Sequence, residues 1–166
     1  MTEWLSDDEM SAWLRLVAIT ELLPGVLDAQ LRRDAGLSHY EYFVLAMLSE
    51  APSRTLRMTE LAQRTNASLT RLSHVARRLE DRDLIERFPC PEDARATNAR
   101  LTDPGWAVVA EAAPRHVTHV RARVLGDLQP QQIRQMATIG DSILARLDPE
   151  GRMTALYRPA DTRIAP

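Results

Sequence analysis

The sequence predicts a mainly α-helical fold carrying a small antiparallel β-hairpin, and three observations predict it. Residues 56–106 order two short helices, a strand, a charged Pro-containing tip, a returning strand and a new helix start. Apolar residues recur at helical spacing on both sides of that unit. Helix starts are marked explicitly, by Ser6-Asp7-Asp8-Glu9, by Ser38 with Glu41, and by Thr102-Asp103-Pro104. Two helices followed by a two-stranded hairpin make a helix-turn-helix with a β-wing, a unit that lays its second helix in the major groove of DNA.

Taken in order, the first helix begins at Ser6, where acids suit the positive end of the helix dipole. Trp13, Leu16, Val17, Leu23, Val26, Leu27 and Leu31 form its apolar side, and Pro24-Gly25 predicts a kink or a break. Gly36 is placed to close it in the left-handed conformation. The Ser38 capping box opens a second helix with Tyr42, Val44, Leu45 and Leu48, which stops before Pro52. Residues 51–57 read as a turn or a short extended piece. Thr59 is expected to cap the third helix, with Leu61 and Ala62 facing inward. Asn66-Ala67 makes the turn and Ser68 caps the fourth helix.

In that fourth helix Leu72, Val75, Ala76 and Leu79 fall at i, i+3, i+4 and i+7, a single apolar stripe. The opposite face holds Thr70, Arg71, Ser73, His74, Arg77 and Arg78, which offer donors to base edges and phosphates. Asp83 closes the helix in a left-handed turn. Leu84–Phe88 is the first wing strand, Pro89 to Ala94 its tip, and Asn98–Leu101 the return. A long Ala- and Val-rich helix follows to Gly126, kinked at Pro114. Pro130 opens the last helix through Ile133, Met136, Ile139, Ile143 and Leu147.

Composition bounds the function. At 166 residues and a net charge of −2, the chain suits one DNA-binding lobe with helical extensions, not a protein that coats nucleic acid indiscriminately. All 21 basic residues are Arg, whose planar fork suits phosphate and groove contacts. The basic cluster of the central unit is interleaved with six acids, so its excess is modest. Cys90 is the single cysteine, which excludes an intrachain disulfide framework and a Cys-based zinc finger. No signal-peptide pattern and no run of 18 apolar residues is present, so a cytoplasmic protein without a membrane partner is expected. No GxSxG, HExxH, P-loop or dinucleotide fingerprint occurs, so no enzyme and no cofactor is expected.

The chain resembles the MarR (multiple antibiotic resistance regulator) family of winged helix-turn-helix transcription factors. The matching pieces are Gly36-Leu37-Ser38 with Tyr42, Leu45 and Leu48; Met58-Thr59-Glu60-Leu61-Ala62; Leu79-Glu80 before Leu84-Ile85; and Glu92-Asp93-Ala94-Arg95 with Leu101-Thr102 and Gly105. Asp83 departs from the Gly usual there, and Pro24-Gly25 departs within the first helix. The resemblance implies a homodimer, a pseudo-palindromic double-stranded operator, and release by a small aromatic or phenolic ligand. It divides the chain into a dimerisation region (1–36 and 103–147), a DNA-binding lobe (37–102) and a flexible tail (148–166).

The site residues follow from this division. Ser68, Thr70, Arg71, Ser73 and His74 lie at the start of the recognition helix and are expected to bind DNA, the last four at base edges; Arg77 and Arg78 are expected at phosphates. Arg95 is expected in the minor groove, its guanidinium held by Asp93. Trp13, His39 and Phe43 are expected to line the ligand pocket, where the first helix meets the start of the second. A solvated helix face is the ordinary fate of such arginines, and Arg82, beside Asp81, is left with it. His116 and His119 with His39 or Glu41 have donor types for zinc, but lack a nearby cysteine, so no metal is assigned. A redox-responsive Cys90 and a winged-helix protein-interaction module are the alternative readings.

Overall fold

The computed structural model describes residues 3–157. Helix α1 (Asp7–Ala35) starts in a complete Ser6/Glu9 capping box and ends at Gly36, whose φ of 63° is the left-handed cap expected. It runs through Pro24 without the break that residue suggested, because the helix loses only one backbone hydrogen bond there. Helix α2 (His39–Ser49) starts in the Ser38/Glu41 box. A 3₁₀ turn (Pro52–Arg54) and strand β1 (Thr55–Arg57) lead into α3 (Met58–Arg64).

Here the structure corrects a cap. Thr59 lies inside α3, and the cap residue is Arg57, which makes no side-chain hydrogen bond there. Pairing of β1 with the wing advances the helix start: Leu56 sits opposite Ala99, so the chain leaves the sheet directly into the helix.

Helix α4 (Leu69–Glu80) carries the apolar stripe as expected, with Leu72, Val75, Ala76 and Leu79 buried. Strands β2 (Ile85–Cys90) and β3 (Asp93–Leu101) form the wing, and the sheet order is β1-β3-β2. The hairpin is longer than its Pro residues suggested. β2 is an edge strand, where Pro89 forfeits no ladder bond that matters, and an irregularity between Pro89 and Cys90 takes up the misfit. The tip is only Pro91 and Glu92.

Helix α5 (Asp103–Val120) is capped by Thr102 and runs through Pro114 into a π-helical turn (Arg121–Leu125). Helix α6 (Pro130–Leu147) follows. The start of the presumed tail is folded: the buried Asp148 carboxylate accepts from the Arg152 and Met153 N–H groups, and α7 (Thr154–Tyr157) packs against α3. Residues 158–166 of that segment lie outside the described residues.

One core sits in the lobe, where Leu37, Val44, Leu45, Leu48, Leu61, Leu72, Leu79 and Ile85 meet Ala99 and Leu101. The flanking helices are different. α1 buries only Leu27, Gln30 and Leu31, and α6 buries nothing. Among the described residues, one 18-residue window of α1 has a mean hydropathy of 1.4, which by length and composition alone is enough to cross a membrane. The helix nonetheless carries Arg15 and Glu21 within its length.

Candidate nucleic-acid interface

The turn between α3 and α4 is made locally. Thr65 N–H closes onto Leu61, Asn66 takes φ 48°, and Ala67 N–H donates to Ala62. Ser68 then caps α4, its hydroxyl accepting from Arg71 N–H at 3.2 Å. With the inner stripe buried, Ser68, Thr70, Arg71, His74, Arg77 and Arg78 are exposed and Ser73 is half-buried. The expected recognition residues therefore share one outward flank.

The arginines on that flank are held differently. The Arg71 guanidinium lies over the Tyr40 ring, 4.4 Å from its centroid. Arg77 forms no ion pair among the described residues. Arg78 donates to the largely buried Glu41 carboxylate at 3.1 Å. An acid 37 residues away in sequence therefore shares the charge of Arg78. Burial alone would raise the Glu41 pKa. The Ser38 backbone N–H, the Arg78 guanidinium and the Ser38 hydroxyl outweigh it, so the net shift is downward.

That shift has a sign in stability. A carboxyl whose folded pKa lies below its ordinary value of 4.5 contributes stability above that value, and loses it as pH falls through the folded pKa. Glu41→Gln is accordingly expected to lower stability near neutral pH by about 1–3 kcal/mol, because Arg78 loses its charged partner. The gap to wild type should narrow as both are titrated below pH 4.5, measured by thermal melts across pH. A constant gap would show that the carboxylate charge is not what matters.

Other contacts fix how α4 meets the wing. Glu80 accepts from the Arg87 guanidinium at 2.6 and 3.0 Å and from its backbone N–H, tying α4 to β2. The Arg87 side chain is the largest cause of the lowered Glu80 pKa. Asp83 takes φ 56°, as its position after α4 suggested, and its carbonyl accepts the Thr102 hydroxyl. Arg82 is no idle surface charge: it donates to the Gly36 carbonyl at 3.2 Å.

At the wing Arg95 is exposed, but Asp93 does not hold its guanidinium. The Asp93 carboxylate accepts from the Arg95 backbone N–H at 3.1 Å and so shapes the tip. Two residues of spacing bring that N–H closer to the carboxylate than the end of a long side chain. Cys90 is 5% exposed, so its thiol is not the accessible group a redox switch in the wing requires.

The residues expected to line a ligand pocket are not brought together. Trp13 is 52% exposed on α1, Phe43 packs against the lobe core, and the half-buried His39 faces His116 at 6.5 Å between ring centroids. A cleft of about 590 Å³ lies instead between α1 and α5, lined by Gln30, Arg33, Asp34, Arg115, His119 and Arg123 among others. Gln30, 2% exposed, accepts from His116 Nδ1 through its Oε1 (2.9 Å) and donates to Asp34 through its Nε2. His119 Nε2 is buried without a hydrogen-bond partner among the described residues. Burial, followed by the charges of His39 and His119, lowers the His116 pKa. Among the described residues no three His, Cys, Asp or Glu side chains are grouped to hold a metal. The cleft escaped sequence reasoning because its arginines come from helices about 80 residues apart.

The profile of the MarR family matches residues 37–97. The fold closely resembles Sco3205 from Streptomyces coelicolor, a MarR family transcriptional regulator solved in complex with DNA. The two are 40% identical, with 90% of this chain and 93% of that chain covered and a TM-score of 0.85. AbsC, another MarR family regulator of that organism, is 34% identical, covering 88% of this chain and 98% of its own, with a TM-score of 0.83. In sequence, 26% identity over 113 residues relates the chain to the HTH-type transcriptional regulator PrsX of Escherichia coli, 68% of each being covered.

Proposed function

Because this chain belongs to the MarR family of DNA-binding transcriptional regulators, we propose that it works as a cytoplasmic homodimeric repressor that grips a pseudo-palindromic duplex and is released by a small ligand. The observation that carries this reading is the outward flank of α4, which presents Thr70, Arg71, His74, Arg77 and Arg78 beyond the exposed Leu69 of its first turn, while the other flank is buried in the lobe core. Each α4 enters a major groove, and the two half-sites lie ~10 bp apart or a multiple of it, as two-fold dimers require. Thr70, Arg71, Ser73 and His74 address base edges, with Ser68 capping the helix. Arg77 meets phosphate, and Arg78 does so while tethered to Glu41. Arg95 enters the minor groove from the wing tip. No enzymatic step belongs to this reading.

The unpaired apolar faces of α1 and α6 support the dimer, since a soluble monomer rarely leaves so much apolar helix exposed. A second copy covers the exposed apolar face of α1. The cleft between α1 and α5 supports the ligand. Three arginines and one unpartnered imidazole against a single carboxylate favour an anion, such as an aromatic acid, over a neutral molecule.

Selection of genomic fragments by the purified protein tests the reading, followed by gel shifts at several salt concentrations. Specific retention that falls with salt is expected, as is its loss when benzoate or a related acid is titrated in. Arg95→Ala is expected to weaken operator binding and to flatten the salt slope by about one unit. Unchanged binding across the salt series would remove Arg95 from the interface.

A further inference from the structure

We propose that Tyr40 is a specificity-determining positioning residue, which holds the Arg71 guanidinium ready to read a base edge. The inference rests on α4 being the recognition helix and deepens that reading. Tyr40 lies in the first turn of α2, outside the helix-turn-helix proper. Its ring is anchored at the far end, where the phenol hydroxyl and Thr65 Oγ1 are 3.0 Å apart. Thr65 is itself buried and donates to the Leu61 carbonyl at 2.7 Å. The ring is therefore pinned to the end of α3, and its face is presented to the third residue of α4.

Arg71 rests on that face at 4.4 Å and has no acidic partner among the described residues. This differs in kind from Arg78, seven residues on, whose donors are directed at the Glu41 carboxylate. A carboxylate occupies guanidinium N–H groups. An aromatic face restrains the cation through its π-electrons and leaves the N–H groups at the guanidinium's edge free to donate. Guanine presents two acceptors in the major groove that match such a fork. A long arginine side chain loses much rotamer freedom on binding, and the ring restricts part of that freedom beforehand.

The experiment uses the full-length protein and selection from a pool of random duplexes, then a double-mutant cycle over Tyr40 and Arg71. The wild type should enrich a two-fold symmetric motif. Y40L should reduce the ratio of motif to scrambled-duplex affinity about tenfold, at unchanged affinity for scrambled duplex, and flatten the preference at one base of each half-site. Y40F keeps the ring but loses its tie to Thr65, and should fall between wild type and Y40L. In an R71A background Y40L should change nothing further, since the group it positions is gone. Tyr40 also packs against the lobe core, so if Y40L melts below the assay temperature, Y40M takes its place in the cycle. A ringless variant that folds and reads the motif as wild type does overturns the inference alone, as does an equal loss with and without Arg71. A wild type that enriches no motif overturns the proposed function as well.

Discussion

Ile139→Glu is expected to leave a monomer that no longer retains operator DNA. Ile133, Met136, Ile139, Ile143 and Leu147 form a stripe along α6, and no α6 residue is buried within the chain. Ile139 is 60% exposed, so a carboxylate there meets water in an isolated chain. Across a two-fold interface the same carboxylate is desolvated in both copies, without a partner, and the interface is the element that gives way. Linking two half-site readers in one body strengthens binding by about 10²–10⁴ through effective concentration, so separating them removes that factor. Size-exclusion chromatography with light scattering reads the oligomeric state, and a gel shift reads the DNA. A variant that remains dimeric and shifts DNA like wild type would place the interface elsewhere.

The second large effect falls on folding. Gly105 is the third residue of α5, where its N–H donates to the Thr102 hydroxyl that caps the helix. A Cβ built on it would lie 2.0 Å from the Leu84 carbonyl oxygen and 2.7 Å from Leu101 Cδ1. The first obstacle is backbone, and that carbonyl already accepts the Thr102 N–H at 3.1 Å, so neither side can yield cheaply. Gly105→Ala is expected to destabilise the protein by about 3 kcal/mol or more, the upper end for overpacking. For a chain of this length that lowers the melting temperature by roughly 6–12 °C. Gly25→Ala is the control: nothing lies within 4 Å of its Cβ, and alanine suits a helix better by up to about 1 kcal/mol. Equal melting temperatures for Gly105→Ala and wild type would show that α5 is not seated on Leu84 as closely as described.

Much of this architecture is legible in residue order because the signals are short-ranged. The Ser6 helix start, the Ser38 capping box, the Gly36 cap, the Asp83 turn and the α4 stripe each involve residues a few positions apart, and each forms as expected. Errors begin where a distant strand or acid intervenes. Thr59 reads as a cap until β1 is seen to pair with β3 some 40 residues later. Cys90 reads as a wing-tip residue between two prolines until β2 is seen to extend through it and leave it buried.

The order of residues alone settled that this is a helix-turn-helix with a wing, and that one flank of α4 carries donors. Those features depend on periodicity, caps and turns, whose energetics are complete within a few residues. Tertiary structure alone decided what each donor is free to do. It set Arg78 on Glu41, Arg71 on Tyr40 and Arg82 on Gly36, and it gathered three arginines, of α1, α5 and the π-helical turn, around one cleft. A guanidinium on a long stem takes whichever partner the folded chain brings near, and that partner is chosen by packing, not by sequence distance.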